Sequence, residues 1–146
     1  QMAQIESIQV NIETGDESGA GTDGSIYVGV GGREFHLDTS ADDFERGSSH
    51  QYVLGAGGDV VNPAVNDPRK QFLQTEEVES FPIYVRFEPN DSGDNWNLAR
   101  AEMSFNNELF PRWETTTFVS STDGIWLGQR SGSVVHLRKH LDAPPS

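Results

Sequence analysis

Oxygen-rich residues are concentrated in three short segments, and these residues have the clearest capacity for chemistry. The segments are TGDESGAGTDG at 14–24, LDTSADDF at 37–44 and EPNDSGDNW at 88–96. Ca²⁺ takes about six to eight oxygen ligands from carboxylates, amides and backbone carbonyls, and glycine lets a carbonyl turn inward where a bulkier residue would not. The composition of the three segments therefore suits a calcium site whose ligands converge from separate loops.

The second segment and the residue that follows it crowd four acids, Asp38, Asp42, Asp43 and Glu45, into eight positions after a predicted strand. Their repulsion is tolerable on a solvated loop, and acidic surface loops are common. A bound cation would also relieve it. The spacing is not that of an EF-hand, whose ligands come from one continuous loop between helices. Composition alone favours a solvated surface and leaves a cation site open.

The overall charge restricts the possible partners. With 146 residues, ten Lys and Arg and a formal net charge of −13, the chain is poorly suited to bind a nucleic-acid backbone, because phosphate binding depends on basic side chains. A bare anionic membrane would repel it too, so any approach to a lipid surface requires something that offsets the acids, and a divalent cation is the simplest candidate. The chain has no cysteine, which excludes disulfides, thiolate metal sites and a Cys nucleophile.

Alternation of apolar and polar residues dominates the readable segments and predicts strands rather than helices. The pattern indicates about eight strands, drawn from 8–12, 26–30, 33–37, 50–54, 83–87, 99–105, 115–119, 124–128 and 133–138. A helical period is weak and confined to 62–80. We therefore expect an all-β fold, an antiparallel β-sandwich. It forms a single domain over 1–141 with a long connection at 55–80, followed by a disordered tail at 142–146.

Four runs, read together, resemble the PLAT domain, also called LH2. They are IETGDESGAGTDGSIYVGVGG, FHLDTSADDFERGSSHQYVL, YVRFEPNDSGDNWNLARAEMSFN and WLG, and they span residues 8–128 in the order typical of that family. PLAT is a C2-like β-sandwich module of polycystins, lipoxygenases, pancreatic-type lipases and clostridial alpha-toxin. The 55–80 connection is longer than the link usual in the family.

The resemblance implies two neighbouring Ca²⁺ sites, since family members that bind the ion build both from these loops. The first would use the carbonyls of Gly19 and Gly21, the Asp94 carboxylate and the Asn95 carbonyl. The second would use the Asp38 and Asp43 carboxylates with the carbonyls of Thr39 and Ala41. A further, weaker shared position would involve Asp42 and Thr22.

One departure from the family pattern affects the first site. Family members with the best-formed first site often have an acid where Gly19 stands, so the site is expected to be weaker here. Asp16 or Glu17 could supply the missing charge. Asp23 is expected to cap its turn and to lie outside the coordination shell.

The residues around the second site are expected to support it. Phe44 should turn inward and anchor the loop. Arg46 should neutralise Glu45 or Asp42. Because of the resemblance to the PLAT family, we interpret the segment as a cation site and not as a solvated loop.

The aromatic residues divide into core and surface candidates. The family resemblance implies that Trp96 is a core residue, and Trp126 with Leu127 also has a buried pattern. Trp113 and Phe110 are the candidates for surface contact with a partner, although a core role is equally compatible with their positions.

The sequence does not favour catalysis. It has no G-x-S-x-G elbow, P-loop or Cys, and its four histidines form no catalytic or zinc grouping. The pair Asp38 and Asp43 could in principle hydrolyse glycosides, but a chain of this size has little room for the deep cleft required. PLAT domains are accessory modules of lipase-like or lipoxygenase-like enzymes.

We therefore expect a calcium-dependent module that attaches to a membrane lipid surface or to a protein partner, and calcium use would suit an extracellular or cell-surface location. The alternative is a structural, adhesive or carbohydrate-binding β-sandwich in which calcium only makes the loops rigid. Exposed aromatic residues on a sheet face would favour this alternative.

Overall fold

The computed structural model describes residues 4–70, 73–108, 111–115 and 124–140. Ten strands and one short helix occur within these ranges. They are β1 Ser7–Thr14, β2 Ser25–Val30, β3 Arg33–Leu37, β4 Ser49–Gly55, α1 Thr75–Val78, β5 Tyr84–Glu88, β6 Asn95–Phe105, β7 Arg112–Glu114, β8 Ile125–Gly128, β9 Val134–His136 and β10 Arg138–His140.

The strands form two antiparallel sheets. In one sheet the order is β10-β7-β6-β1-β4, with β8 also pairing with β6, and in the other it is β3-β2-β5-β9. The eleven-residue β6 organises the larger sheet, because its first part pairs with β8, its second part with β7, and its other edge with β1. The predicted antiparallel β-sandwich is confirmed.

The core lies between the two sheets. Ile8, Val10 and Ile12 alternate along β1 and are at most 2% exposed, and Val28 of β2 pairs with Val85 of β5 on the facing sheet. Each fully buried aliphatic side chain of this kind contributes about 1.5–3 kcal/mol. The period-two pattern of the sequence is therefore the pattern that fills the sandwich.

A group of aromatic side chains closes the core beneath the acidic segments. Trp96 is fully buried at the start of β6, and its ring centroid lies 5.7 Å from that of Phe44 and 5.8 Å from that of Phe87. Its indole Nε1 donates to Thr14 Oγ1 at 2.9 Å. Tyr52 stacks on Phe44 at 5.3 Å. The expected core role of Trp96 and the inward orientation of Phe44 both agree with the structure.

The 55–80 connection is fastened to the edge of β3. The Asn66 side chain accepts a hydrogen bond from the backbone N–H of His36 at 2.8 Å, and the Val61 N–H donates to the carbonyl of Asp38 at 2.8 Å. Val60 and Leu73 are buried. The connection therefore covers an edge that would otherwise expose unpaired backbone groups, and it also holds the backbone at Asp38.

Helical structure is limited, within the described ranges, to the four residues of α1. The remainder of the weak helical pattern over 62–80 is mostly turns in the described residues, with an isolated β-bridge between Gln74 and Gln4. Among the described helices none is long and apolar enough to cross a membrane.

The two described tryptophans outside the central core differ in outcome. Trp113, for which surface contact and a core role were both open, is a core residue: it is only 6% exposed, because it faces inward beside Met103 of β6 and packs edge-on against Phe105. The predicted burial of Trp126 is wrong, since its side chain is 41% exposed where it alternates with buried Leu127 along β8. Phe110, nearly all of the strand predicted at 115–119, and the 142–146 tail lie outside the described residues.

Replacing Phe44 by Ala should be costly. Phe44 has a φ of 60°, which is unusual for a bulky residue, and its ring is 5% exposed between Tyr52 and Trp96. We expect Phe44→Ala to lower the free energy of unfolding by about 3–5 kcal/mol, as measured by urea denaturation. Phe81 is 46% exposed, so the same change there should cost less than about 1 kcal/mol. Equal losses at the two positions would contradict the anchoring role of Phe44.

Candidate metal centre

The three oxygen-rich segments meet at one end of the sandwich. The Thr22 N–H donates to the Phe44 carbonyl at 3.1 Å, and the Asn97 N–H at the start of β6 donates to the Ala20 carbonyl at 3.0 Å. A third backbone hydrogen bond, from Gly47 to Gly15, is 2.9 Å long. Segments that are distant in sequence are thus joined through their backbones, and their side chains line two adjoining grooves.

The first groove is organised around Asp94. The Thr22 hydroxyl lies 2.7 Å from both Asp94 carboxylate oxygens, and the backbone N–H of Asn90 donates to Oδ2 at 2.9 Å. Thr22 in turn accepts from the Gly24 N–H at 2.9 Å. A Cβ at position 24 would lie 2.9 Å from Asp94 Oδ2 and 2.7 Å from the Glu88 carbonyl oxygen. Gly24 is therefore needed for the close approach of this carboxylate.

Three of the four donors predicted for the first site line this groove of about 590 Å³, namely Gly19, Gly21 and Asp94. Asn95 does not line it within the described residues, because it begins β6 and pairs there with Gly128 of β8. The assignment of its carbonyl comes from the family resemblance and stays a prediction.

Asp16, one of the two acids expected to compensate at Gly19, is already paired. Asp16 Oδ1 lies 3.1 Å from Arg46 Nε, and the Asp16 carbonyl accepts from Arg46 Nη2 at 3.1 Å. Both side chains are largely exposed, so this ion pair is weak. Arg46 therefore pairs with Asp16 and not with the predicted Glu45 or Asp42, although it lines the first groove beside those two acids.

The second groove, of about 180 Å³, contains the predicted Asp38, Ala41 and Asp43. Asp43 is held by three donors, which are the Thr39 N–H at 2.8 Å, the Thr39 hydroxyl at 2.9 Å and the Tyr52 hydroxyl at 3.0 Å. Thr39 does not itself line the described groove. Its clearest role is to orient Asp43.

The electrostatics of the second groove favour a cation. Burial, together with a hydrogen bond to Asp43 and the charge of Asp43, raises the pKa of the Asp38 carboxyl above its usual range. Burial, followed by the neighbouring Asp43 charge, likewise raises the pKa of the Tyr52 hydroxyl. Two carboxylates that share a partly buried space repel each other, and a bound divalent cation would remove this cost. The donor set is therefore compatible with Ca²⁺.

A third acidic group lies between the two grooves. Asp23, Asp42 and Glu45 are exposed and offer carboxylate oxygens that all lie within 4.8 Å of one another. Asp42 was predicted as a shared position with Thr22, and Thr22, Asp23 and Asp42 line both grooves. From sequence, Asp23 is expected to lie outside the coordination shell, and Glu45 has no predicted ligand role. The spacing of Asp42 and Glu45, three residues apart, could have indicated from sequence that these two acids lie together. Asp23 comes from another loop, so no sequence spacing indicates its approach.

Removing the Thr22 hydroxyl should weaken the Asp94 groove. Thr22→Val keeps the shape of the side chain but leaves Asp94 and the Gly24 N–H without this partner, so we expect a loss of about 1.5–3 kcal/mol in EDTA, measured by urea denaturation. Thr22→Ser retains the hydroxyl and should cost about 1 kcal/mol or less. If valine were tolerated as well as serine, the hydroxyl would not be what positions Asp94.

Comparisons with known proteins agree with this architecture. A scan of protein-family models gives no match, and a search of curated proteins also gives none. Among solved structures, the chain is similar to alpha toxin from Clostridium absonum, with a TM-score of 0.62, 20% identity, and coverage of 92% of this chain and 32% of the toxin. The alpha toxin of Clostridium perfringens gives a TM-score of 0.61 with 20% identity, and the match covers 93% of this chain and 32% of that toxin.

Coral 8R-lipoxygenase, described as activated by calcium via a C2-like domain, gives a TM-score of 0.56 with 21% identity and covers 91% of this chain and 17% of the enzyme. The chain therefore spans about a third of the length of the two toxins and about a sixth of that of the lipoxygenase. At these identities the likeness concerns the fold. The two-sheet topology and these structural neighbours show that the chain has a PLAT/LH2-like fold.

Proposed function

We propose that this chain is a non-catalytic calcium-binding module that uses its acidic loop end to attach to a membrane surface or a protein partner. The observation that carries the proposal is the meeting of Asp94, the Asp38 and Asp43 pair, and the Asp23, Asp42 and Glu45 group at one end of the sandwich. The coral enzyme described as calcium-activated via a C2-like domain supports it, because that protein shares the fold.

The residues that would hold the ions can be named. Gly19, Gly21 and Asp94 would supply oxygens in the first groove, and Asp38 and Asp43 would do so in the second. When bound, Ca²⁺ would supply positive charge and open coordination positions to phosphate or carboxylate oxygens of a partner. The protein's part is to hold these acids in place before binding, which the hydrogen bonds from Thr22, Thr39 and Tyr52 do.

The charge of the chain explains why attachment would depend on the ion. A net charge of −13 repels an anionic lipid surface, and the acids are densest at the end proposed to meet it. Neutralising that end locally changes the sign of the interaction without altering the fold. The toxin and lipoxygenase neighbours are much longer chains, and a non-catalytic role here is consistent with this fold being one part of them.

Calcium should stabilise the protein. A ligand that binds only the native state at 100 times its Kd adds about 2.7 kcal/mol, so the melting temperature should rise on moving from EDTA to saturating Ca²⁺. We expect Asp94→Asn to remove one part of this gain and Asp38→Asn combined with Asp43→Asn to remove another, as measured by thermal melts and titration calorimetry. Glu108→Gln removes an exposed charge outside the acidic loops and is the matched control.

The pattern of losses decides between the possible arrangements. Separate losses in the two sets of variants indicate two sites. If wild-type protein shows neither heat nor stabilisation with Ca²⁺, the acidic loops are solvated surface and the proposal is wrong.

Attachment to lipid should require calcium. We expect the chain to sediment with vesicles of phosphatidylserine and phosphatidylcholine in Ca²⁺ but not in EDTA, because only the ion-loaded loop end can approach anionic headgroups. Asp94→Asn and the double variant should reduce sedimentation, while Glu108→Gln should not. Sedimentation that persists in EDTA would refute the charge-based mechanism, and its absence in every condition would leave a protein as the partner to be sought.

One observation favours the alternative carbohydrate-binding function. Trp126 presents a large ring at 41% exposure on β8, and aromatic residues on a sheet surface can stack on sugars. Fluorescence titration with a panel of oligosaccharides tests this alternative. A response that Trp126→Ala abolishes, and that is unchanged in EDTA, would favour it.

A further inference from the structure

A pocket of about 270 Å³ opens at the end of the sandwich away from the acidic loops. Its residues come from α1, from the last part of β6 and from β7, and the eleven residues of β6 separate the two ends by about 30 Å. The inner wall is apolar and is formed by Val78, Phe105 and Trp113, with Pro111 at the edge. The rings of Phe105 and Trp113 meet edge-to-face with centroids 5.4 Å apart.

The polar part of the pocket consists of three acids together with the neutral Thr75 and Asn106. Glu76, Glu79 and Glu108 all line it, and no basic residue does so among the described residues. These carboxylates do not converge as metal ligands, because the only described group of three acids within 4.8 Å lies at the opposite end of the molecule. A compact divalent ion would also gain little from an apolar wall. A larger cation with an apolar body matches both features.

The structure already holds one ammonium group beside this pocket. Lys139 Nζ lies 3.2 Å from Glu79 Oε2 and 5.7 Å from the centroid of the Trp113 ring. A carboxylate and an aromatic face together stabilise a cation, the first by charge and the second through the quadrupole of the ring. The surroundings of the pocket therefore favour an ammonium in this fold.

We propose that this pocket binds a small organic ammonium, with the apolar body of the ligand against Val78, Phe105 and Trp113 and its charge among the glutamates at the rim. The size of the pocket suits an arylalkylamine. This inference does not depend on the proposed calcium function, because it concerns different residues at the other end of the sandwich.

The test uses 2-phenylethylamine as the probe and 2-phenylethanol as its neutral analogue. Both are titrated in EDTA into the ¹⁵N-labelled full chain, and the indole N–H signals are followed by NMR, with Trp126→Phe identifying one of the other two tryptophans. We expect saturable, millimolar binding of the amine that shifts Trp113 more than Trp96 or Trp126. The alcohol should bind about fivefold more weakly, because it lacks the charge that the carboxylates recognise.

Three variants make the test specific. Glu108→Gln should weaken binding of the amine several-fold, whereas Lys139→Gln should strengthen it, because Glu79 is then free to pair with the ligand. Glu13→Gln, which removes an exposed acid on β1 near the other end, should have no effect. The proposal would be overturned by equal affinity for the amine and the alcohol, or by a Trp113 signal that does not respond. It would also be overturned if Lys139→Gln left the affinity for the amine unchanged or lowered it.

Discussion

The geometry of the acidic loop end depends on the burial of Trp96. This side chain begins β6, contacts Phe44 and Phe87, and donates its indole hydrogen bond to Thr14 at the end of β1. Thr14 and Phe87 lie where two oxygen-rich segments leave β1 and β5, and Phe44 ends the third segment ahead of β4. The packing that stabilises this end of the core therefore also fixes the roots of all three loops, so the stability of the fold and the shape of the candidate site share the same contacts.

The charge on the loops opposes this packing. Asp38 and Asp43 share a partly buried space, and burial together with the neighbouring charge raises the pKa of Asp38. The chain offsets part of the cost with neutral donors, since Thr39 and Tyr52 donate to Asp43 and Thr22 donates to Asp94. Hydrogen bonds of this kind orient carboxylates without neutralising them. The loops are thus held in place while their charge remains available, as a cation-dependent surface requires.

Much of this architecture could be predicted from sequence, because it depends on local patterns. Period-two alternation gave the strands of the sandwich, and the motif order gave the role of Trp96. The three-residue strands β7 and β10 are too short to show a period. Whether the side chains of Trp113 and Trp126 point into the core or into solvent depends on how β7 and β8 pair with β6, which the sequence does not specify. For the same reason, the approach of Asp23 to Asp42 and the pairing of Arg46 with Asp16 could not be foreseen.

A crystal structure of the chain grown in millimolar CaCl₂ would show whether the acidic loop end binds calcium. We expect ion density with calcium-like oxygen distances of about 2.3–2.6 Å in the Asp94 groove and in the Asp38 and Asp43 groove, with these carboxylates close to their present positions. Well-ordered loops that contain only water in both grooves would contradict this expectation. They would show that the acidic end is held together by its hydrogen bonds alone.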